Sequence, residues 1–276
     1  MAVIPFIKMQ GAGNDFVVID NREGSCAVDS TIAAKLAERR FGIGCDQVVV
    51  MESSKKADVR MRIFNADGSE IAACGNASRC IGWKVMQEKS ADMVSIETDA
   101  DVLECHKYND WSVTVDMGEP KWDWADIPLS EARNTEHLGI ECGGMMDPVA
   151  VNIGNPHMVF FVKDIDFVNL KECGPKLESH ALFPERANIS AAQVVEYDQV
   201  RLKVWERGAG ETLACGTAAC ATVVAGVRRG VCGRKTTVTL PGGELIIDWR
   251  EDTNHIHMTG PVAIVFEGQF DKGLIL

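Results

Sequence analysis

The sequence predicts an α+β protein with two pseudo-symmetric domains, each a β-sheet wrapped around a central helix. Three observations lead to this fold class: the motif A-C-G-x-A occurs twice, a β-branched and aromatic run precedes each copy, and a helical segment follows each copy. The length of 276 residues fits two modest domains better than a single core. We expect the domains at 1–118 and 119–261, with the active site in the cleft between them.

The two motif copies lie at Ala73–Ala77 and Ala214–Ala218, so that Cys74 and Cys215 are equivalent at an offset of 141 residues. The same offset matches polar positions elsewhere: Gly13-Asn14 with Gly154-Asn155, Gln47 with Asn188, Asn65 with Glu206, and Glu70 with Glu211. One offset that holds over more than half of the chain indicates gene duplication. Residues near the pseudo-two-fold axis are then expected twice, on opposite sides of whatever binds between the halves.

The local patterns predict a strand, a glycine-containing turn and a helix in each half. The strands are predicted at Asp58–Asn65 and Gln199–Glu206, and the helices at Ala77–Lys89 and Ala218–Arg229, with Asn76 and Thr217 as N-caps. Further strands are predicted at Ile4–Met9, Asp15–Ile19, Gln47–Met51, Met93–Thr98, Ser112–Met117, Val149–Ile153, Thr236–Leu240, Glu244–Trp249 and Ala263–Phe266. The acidic, Pro- and Trp-containing segment Asp116–Pro128 is the candidate linker.

Composition excludes several classes of function. The net charge of −12 and the lack of a basic stripe argue against nucleic acid as a partner. The N-terminal residues do not resemble a signal peptide, and no apolar run reaches the ~18 residues that span a membrane. Ten cysteines in a chain without an export signal predict a cytoplasmic protein with reduced thiols.

The positions of Cys74 and Cys215 predict proton-transfer chemistry. A cysteine just before a helix lies at the positive end of the helix dipole, which lowers a thiol pKa from ~8.5 toward neutrality. Unpaired N–H groups at the same end of a helix bind a carboxylate. Two such helix starts would stabilise the enolate-like charge formed when a proton leaves the carbon beside a carboxylate. A thiolate on one face and a thiol on the other would then invert that carbon without a cofactor.

Other readings of these cysteines explain less. Buried structural thiols would account for either motif alone, but not for both with their polar neighbours repeated. The spacings Cys74/Cys80 and Cys215/Cys220 are unlike zinc or C-x-x-C redox motifs. The segment Gly11–Asn14 lacks the third glycine of a dinucleotide-binding loop. A Cys-His hydrolase that uses His157 remains open, although it leaves the second cysteine without a role.

The longer motifs resemble those of the diaminopimelate epimerase family. They are Met9–Phe16, Phe64–Glu70, Cys74–Asn76, Gly154–His157, Glu206–Thr212 and Ala214–Thr217, and the resemblance spans essentially the whole chain. It implies the diaminopimelate epimerase-like fold and interconversion of LL- and meso-2,6-diaminopimelate, a step in lysine and peptidoglycan precursor biosynthesis. It also implies no metal and no pyridoxal phosphate, and a final strand at 262–276 that returns to the first domain.

The resemblance assigns roles position by position. It implies that Cys74 and Cys215 are catalytic, with Cys74 serving the L-configured face, and that His157 and Glu206 support activity. The substrate-binding positions it implies are Asn14, Gln47, Asn65, Gly75, Asn76, Asn155, Asn188, Glu206, Arg207, Gly216 and Thr217. The resemblance also implies that the reacting carboxylate is held at the two helix starts, by Gly75, Asn76, Gly216 and Thr217. Arg207 suits the distal carboxylate, since a guanidinium binds one bidentately.

The sequence departs from the family pattern in a few places. Ala77 and Ala218 replace glycines just inside the two helices, a change that favours helix formation and keeps the backbone donors. Phe266 stands where some members carry a tyrosine that supports dimerisation, and we expect a homodimer with an apolar contact there. The closest rival is a proline or hydroxyproline racemase of the same fold, which typically has histidine at the position of Asn76.

Overall fold

A computed structural model describes residues 3–24, 26–271 and 273 of the chain. The described residues form two compact units, the first within Met1–Val115 and Thr259–Leu276 and the second within Asp116–Met258. Both units combine β-sheet with helix, in agreement with the predicted α+β class. Among the residues described, no helix has the length and apolar character needed to cross a membrane.

The first unit is built from antiparallel and parallel strands around one long helix. Its elements are β1 (Val3–Gly11), β2 (Asn14–Asp20), α1 (Ser30–Ala37), β3 (Gln47–Glu52), β4 (Val59–Asn65), β5 (Glu70–Ile71), α2 (Gly75–Lys89), β6 (Met93–Glu97), β7 (Val102–Asn109) and β8 (Ser112–Asp116). The chain returns to this unit near its C-terminus, where the last strand pairs antiparallel with β1.

The second unit follows the same plan. Its elements are β9 (Glu141–Cys142), β10 (Met145–Met146), β11 (Val149–Asn152), β12 (Pro156–Phe161), a 3₁₀ turn (Ile165–Phe167), α3 (Leu170–Glu178), β13 (Asn188–Glu196), β14 (Gln199–Glu206), β15 (Gly210–Thr212), α4 (Gly216–Arg228), β16 (Lys235–Leu240) and β17 (Gly243–Trp249). Two strands complete the chain, β18 (Ile256–Pro261), which leads out of this unit, and β19 (Ala263–Asp271).

Strand registers repeat between the units at the offset found in the sequence. β2 and β3 pair in parallel with Phe16 opposite Gln47, and β12 and β13 pair in parallel with His157 opposite Asn188. The hairpins β4–β5 and β14–β15 also match in register. A register slip of one residue would turn every side chain to the other face. The duplication is therefore present in the backbone pairing as well as in the residues.

Each long helix is covered by the strands of its own unit. α2 packs against β1, β4, β6 and β7, and α4 packs against β11, β12, β13, β16 and β17. Apolar side chains such as Ile81 and Val85 on α2, and Val223 and Val224 on α4, are completely buried. Because burying a large aliphatic side chain is worth ~1.5–3 kcal/mol, these contacts hold the start of each helix in a defined place.

Several details differ from the sequence prediction. The long helices begin at Gly75 and Gly216, so their N-caps are Cys74 and Cys215 rather than Asn76 and Thr217. Strands β7, β13 and β18, the short strands β5, β9, β10 and β15, and the two short helices α1 and α3 were not predicted. Apart from Asp116, the last residue of β8, the candidate linker contains neither helix nor strand, and within it Lys121 forms a bridge with Asn152 of β11.

Gly82 provides a test of the packing of α2 on β7. A Cβ atom at this position would lie 2.7 Å from Cβ and 2.8 Å from Sγ of Cys105. Alanine is a better helix former by ~1 kcal/mol, but overpacking a buried contact costs ~1–3 kcal/mol. We expect Gly82→Ala to lower the free energy of unfolding by about 1–2 kcal/mol in urea titration. Gln87→Ala, on the exposed side of α2, should have little effect, and a more stable Gly82→Ala protein would contradict the close approach.

Candidate active site

Cys74 and Cys215 have almost the same backbone conformation. Their φ and ψ angles are −148° and 113° for Cys74, and −138° and 112° for Cys215. The carbonyl of each accepts the first hydrogen bond of its helix, from Ser78 N at 2.9 Å and from Ala219 N at 3.1 Å. The N–H groups of the first residues of α2 and α4 have no acceptor within the helix. Each cysteine is thus followed directly by backbone N–H donors that are suited to bind an anion.

The Cys74 thiol lies against a network of amide side chains. Its Sγ is 3.8 Å from Oδ1 of Asn14, and the same oxygen accepts a hydrogen bond from Nδ2 of Asn76 at 3.3 Å. Nδ2 of Asn14 donates to a carboxylate oxygen of Asp46 at 3.1 Å. Because the amide nitrogen is directed to Asp46, the amide oxygen faces the thiol. The structure therefore brings together Asn14, Asn76 and Cys74, all three predicted from the sequence.

Asp46 is a residue near the site that the sequence analysis missed. It accepts hydrogen bonds from the backbone N of Asp15 at 3.2 Å and from Nη2 of Arg39 at 2.8 Å. Burial opposes ionisation of Asp15, but hydrogen bonds from Arg39 and Lys8 hold the pKa of that carboxyl well below its usual range. Two carboxylates and two cations thus fix the segment that carries Asn14. The repeat did not reveal Asp46 because Ala187 stands at the equivalent position.

Gln47 and Asn65 form a second amide pair in the first unit. Nε2 of Gln47 donates to Oδ1 of Asn65 at 3.1 Å, and Nδ2 of Asn65 donates to Oγ of Ser69 at 3.1 Å. Oε1 of Gln47 and Oδ1 of Asn76 are buried and accept no hydrogen bond from the described residues. Buried oxygens of this kind are costly unless a donor reaches them, and an ammonium group supplies donors only.

Cys215 has different neighbours from Cys74. Its Sγ lies 3.5 Å from Oγ1 of Thr217, and Glu206 accepts a hydrogen bond of 2.5 Å from Oγ1 of Thr212. Burial, and then the negative charge of Glu206, raise the pKa of the Cys215 thiol well above its usual value. The sequence-based expectation of a lowered pKa is therefore wrong for Cys215 in this state. The helix terminus favours the thiolate, but it does not cancel the two effects that raise the pKa, namely the removal of the sulfur from water and the charge of the adjacent carboxylate.

His157 is fully buried and pairs with Asn155. Its Nε2 is 2.8 Å from Oδ1 of Asn155, so Nε2 carries the proton and donates it to the amide oxygen. Burial, and next the positive charge of Arg207, lower the pKa of His157 to about 3. The imidazole is therefore neutral at physiological pH, and its Nδ1 is an acceptor that no described residue occupies.

Arg207 begins the three-residue turn between β14 and β15. Its backbone N donates to Oδ1 of Asn188 at 2.9 Å, and its Nη1 donates to the carbonyl of Glu185 at 2.8 Å. Nδ2 of Asn188 donates to the carbonyl of Pro156 at 3.2 Å. Both ends of the Asn188 amide are thus bonded to backbone, and the residue fixes the turn rather than offering a side-chain group of its own.

Over the described ranges, no group of three or more His, Cys, Asp or Glu side chains is placed to hold a metal ion.

The shifted pKa of His157 predicts how stability depends on pH. The unfolded chain takes up a proton near pH 6.5, whereas the folded protein does so only near pH 3. Between these values the unfolded state binds more protons, so stability is lost as the pH falls through this window, by about 1.4 kcal/mol per pH unit for one site. In urea titrations at pH 7, 5.5 and 4, the wild type should lose more stability than His157→Gln. His106→Gln, at a half-exposed position, should follow the wild type, and parallel curves for wild type and His157→Gln would contradict a buried neutral imidazole.

Comparison with solved structures supports the fold. A phenazine biosynthesis protein of the PhzF family from Bacillus anthracis aligns with a TM-score of 0.71 at 18% identity, covering 98% of this chain and 100% of the other. A hydroxyproline epimerase from Agrobacterium vitis aligns with a TM-score of 0.67 at 14% identity, covering 98% and 91%. At such low identity these likenesses show the fold alone.

Comparison of sequences is more specific. A family model described as diaminopimelate epimerase matches residues 6–123 and 149–265. The diaminopimelate epimerase of Acidiphilium cryptum is 47% identical over 274 residues, covering 99% of both chains. That of Erythrobacter litoralis is 49% identical over 271 residues, covering 98% of both chains. With its two cysteine-capped helices and this similarity over nearly its full length, the chain belongs to the diaminopimelate epimerase family.

Proposed function

We propose that this protein interconverts LL-2,6-diaminopimelate and meso-2,6-diaminopimelate, using Cys74 and Cys215 as base and acid and no cofactor. The observation that carries the proposal is the matched pair of N-cap cysteines, each beside backbone donors that a carboxylate requires. The identity of the substrate is inferred from the name of the related proteins, diaminopimelate epimerase. The reaction belongs to the supply of lysine and of peptidoglycan precursor.

In the proposed mechanism, the reacting carboxylate is held by backbone N–H groups of Gly75, Asn76, Gly216 and Thr217. In the direction from LL to meso, the Cys74 thiolate removes the proton from the α-carbon on its L face. The Cys215 thiol then donates its own proton to the opposite face, which leaves Cys74 as a thiol and Cys215 as a thiolate. The raised pKa of Cys215 supports its role as the initial acid in this direction.

The remaining polar residues bind and orient the substrate in this proposal. The unoccupied acceptors of Gln47 and Asn76 suit an ammonium group of the substrate. Arg207 binds the distal carboxylate, and neutral His157 keeps its neighbours in place without adding charge. The polar set also includes Asn14, Asn65, Asn155 and Glu206, while Asn188 acts indirectly by holding the turn that carries Arg207.

We also propose a cytoplasmic location, without nucleic acid or membrane as a partner. Buried cysteines that form no disulfide, such as Cys45, Cys105 and Cys232, support a reducing compartment.

The substrate and the two-base scheme are tested by exchange in D₂O. The wild type should convert LL-diaminopimelate to the meso form and incorporate deuterium at the α-carbon, while L-proline and hydroxyproline should be inert. Cys74→Ala and Cys215→Ala should each lower turnover by at least ~10²–10⁴-fold, the usual contribution of one acid or base. Cys80→Ala and Cys220→Ala remove completely buried thiols from the same two helices and should keep turnover within a few fold. Near-normal turnover in either Cys74→Ala or Cys215→Ala would rule out the two-base scheme, and activity on proline alone would rule out the substrate.

We further propose that two copies of the chain form a homodimer through β19. Ile264, Val265 and Phe266 on this strand are exposed by 36%, 55% and 47%. The Phe266 ring packs edge-on against the Phe6 ring, with the ring centroids 5.9 Å apart. Exposed apolar side chains grouped on one strand are typical of a contact between subunits.

Light scattering after size exclusion tests the dimer. The wild type should have twice the chain mass, and Phe266→Asp should shift the mass toward that of a monomer. Phe167→Asp changes a more exposed aromatic residue in the second unit and should leave the mass unchanged. A monomeric wild type, or a fully dimeric Phe266→Asp protein, would argue against this contact.

A further inference from the structure

Glu178, the last residue of α3, is an acidic side chain that the proposed mechanism does not use. It is only 9% exposed, and its position at the C-terminal end of a helix is unfavourable for a carboxylate. A buried carboxylate is also costly unless donors surround it. The folded protein must therefore compensate this residue through specific contacts.

Three donors meet the Glu178 carboxylate. Nε1 of Trp205 donates to Oε2 at 2.8 Å, the backbone N of Gly208 donates to Oε1 at 3.0 Å, and Nη1 of Arg186 donates to Oε1 at 3.1 Å. Gly174, one turn earlier on α3, has no room for a Cβ atom beneath the Trp205 ring. The helix is thus packed closely against the end of β14.

These contacts join the two segments that hold Arg207. Trp205, near the end of β14, and Gly208, on the β14–β15 turn, lie on either side of Arg207 in the chain. Arg186 follows Glu185, whose carbonyl accepts from the Arg207 guanidinium. The Glu178 carbonyl also accepts from the backbone N of Ala187, so both its side chain and its backbone bind this second segment. Arg186 has a φ of 60°, a conformation that a residue other than glycine keeps only when its neighbours hold it.

We propose that Glu178 is the positioning residue for Arg207 and thereby sets the selectivity of the enzyme for amino acids with a second carboxylate. This inference rests on the proposed function, in which Arg207 binds the distal carboxylate. The Glu178 carboxylate fixes the turn and the neighbouring segment, so the guanidinium is held ready before substrate arrives. Without it, Arg207 gains freedom that a two-ended substrate must remove on binding.

The test compares a two-ended with a one-ended substrate. Glu178→Gln keeps the size of the side chain but removes the charge and the ability to accept all three hydrogen bonds. The value of kcat/KM for LL-diaminopimelate should fall by about 10- to 100-fold, mainly through KM. Deuterium exchange at the α-carbon of L-lysine, which lacks the distal carboxylate, should stay within about twofold of the wild type. Glu172→Gln, an exposed acid on the same helix, should leave both substrates unaffected.

A double-mutant cycle with Arg207→Gln gives a second, independent readout on diaminopimelate alone. If Glu178 acts through Arg207, the double variant should be no worse than Arg207→Gln by itself. Trp205→Phe removes one donor while it keeps the ring packing, and should raise KM in the same direction by a smaller factor. If Glu178→Gln does not fold, Trp205→Phe is measured in its place.

Two results would overturn the inference: additive losses in the cycle, or equal losses on diaminopimelate and lysine. A wild type without activity on diaminopimelate would instead overturn the proposed function. The two failures are therefore distinguishable.

Discussion

The change of backbone conformation at Cys74 and Cys215 is the constraint on which the rest of the candidate site depends. Each residue is extended, and the residue after it is helical. This change brings a thiol next to N–H groups that the helix itself leaves unpaired. The strands packed around α2 and α4 keep the helix starts in place, and the polar residues of each unit are arranged around them.

Equal backbones do not make the two thiols equivalent. Cys74 faces the amide of Asn14, a neutral partner that is itself held by Asp46. Cys215 is buried beside the Glu206 carboxylate, which raises its pKa and favours the protonated form. The two similar positions for a sulfur thus differ in the side chains around them, with a neutral amide beside Cys74 and a carboxylate beside Cys215.

Much of the fold was predictable because its patterns are local and occur twice. Runs of β-branched and aromatic residues located β4 and β14 to within one residue. The N-caps were misplaced because asparagine and threonine are strong capping residues, whereas here a cysteine takes the N-cap position with no side-chain capping bond. Helix α3 was missed since it is short and contains Pro175, which weakens the helical pattern.

The candidate site was predictable where it was duplicated, and less so elsewhere. Asn14 and Asn155, and Gln47 and Asn188, were found because each has a polar partner at the common offset. Asp46 and Glu178 were not predicted, because they act through contacts distant in sequence and have no polar counterpart in the other half. The raised pKa of Cys215 depends on burial, which no sequence pattern measures.

The donors at the two helix starts are peptide groups, and this has a consequence for how the family diverges. A mutation can delete an amide or a guanidinium, but it cannot delete the N–H of Gly216 unless it introduces proline. The anion-binding part of such a site is inherited with the chain path itself, and side chains around it are free to drift. Under the proposed function, a change of specificity would therefore fall on side chains such as Arg207 and its supports, while the backbone donors persist.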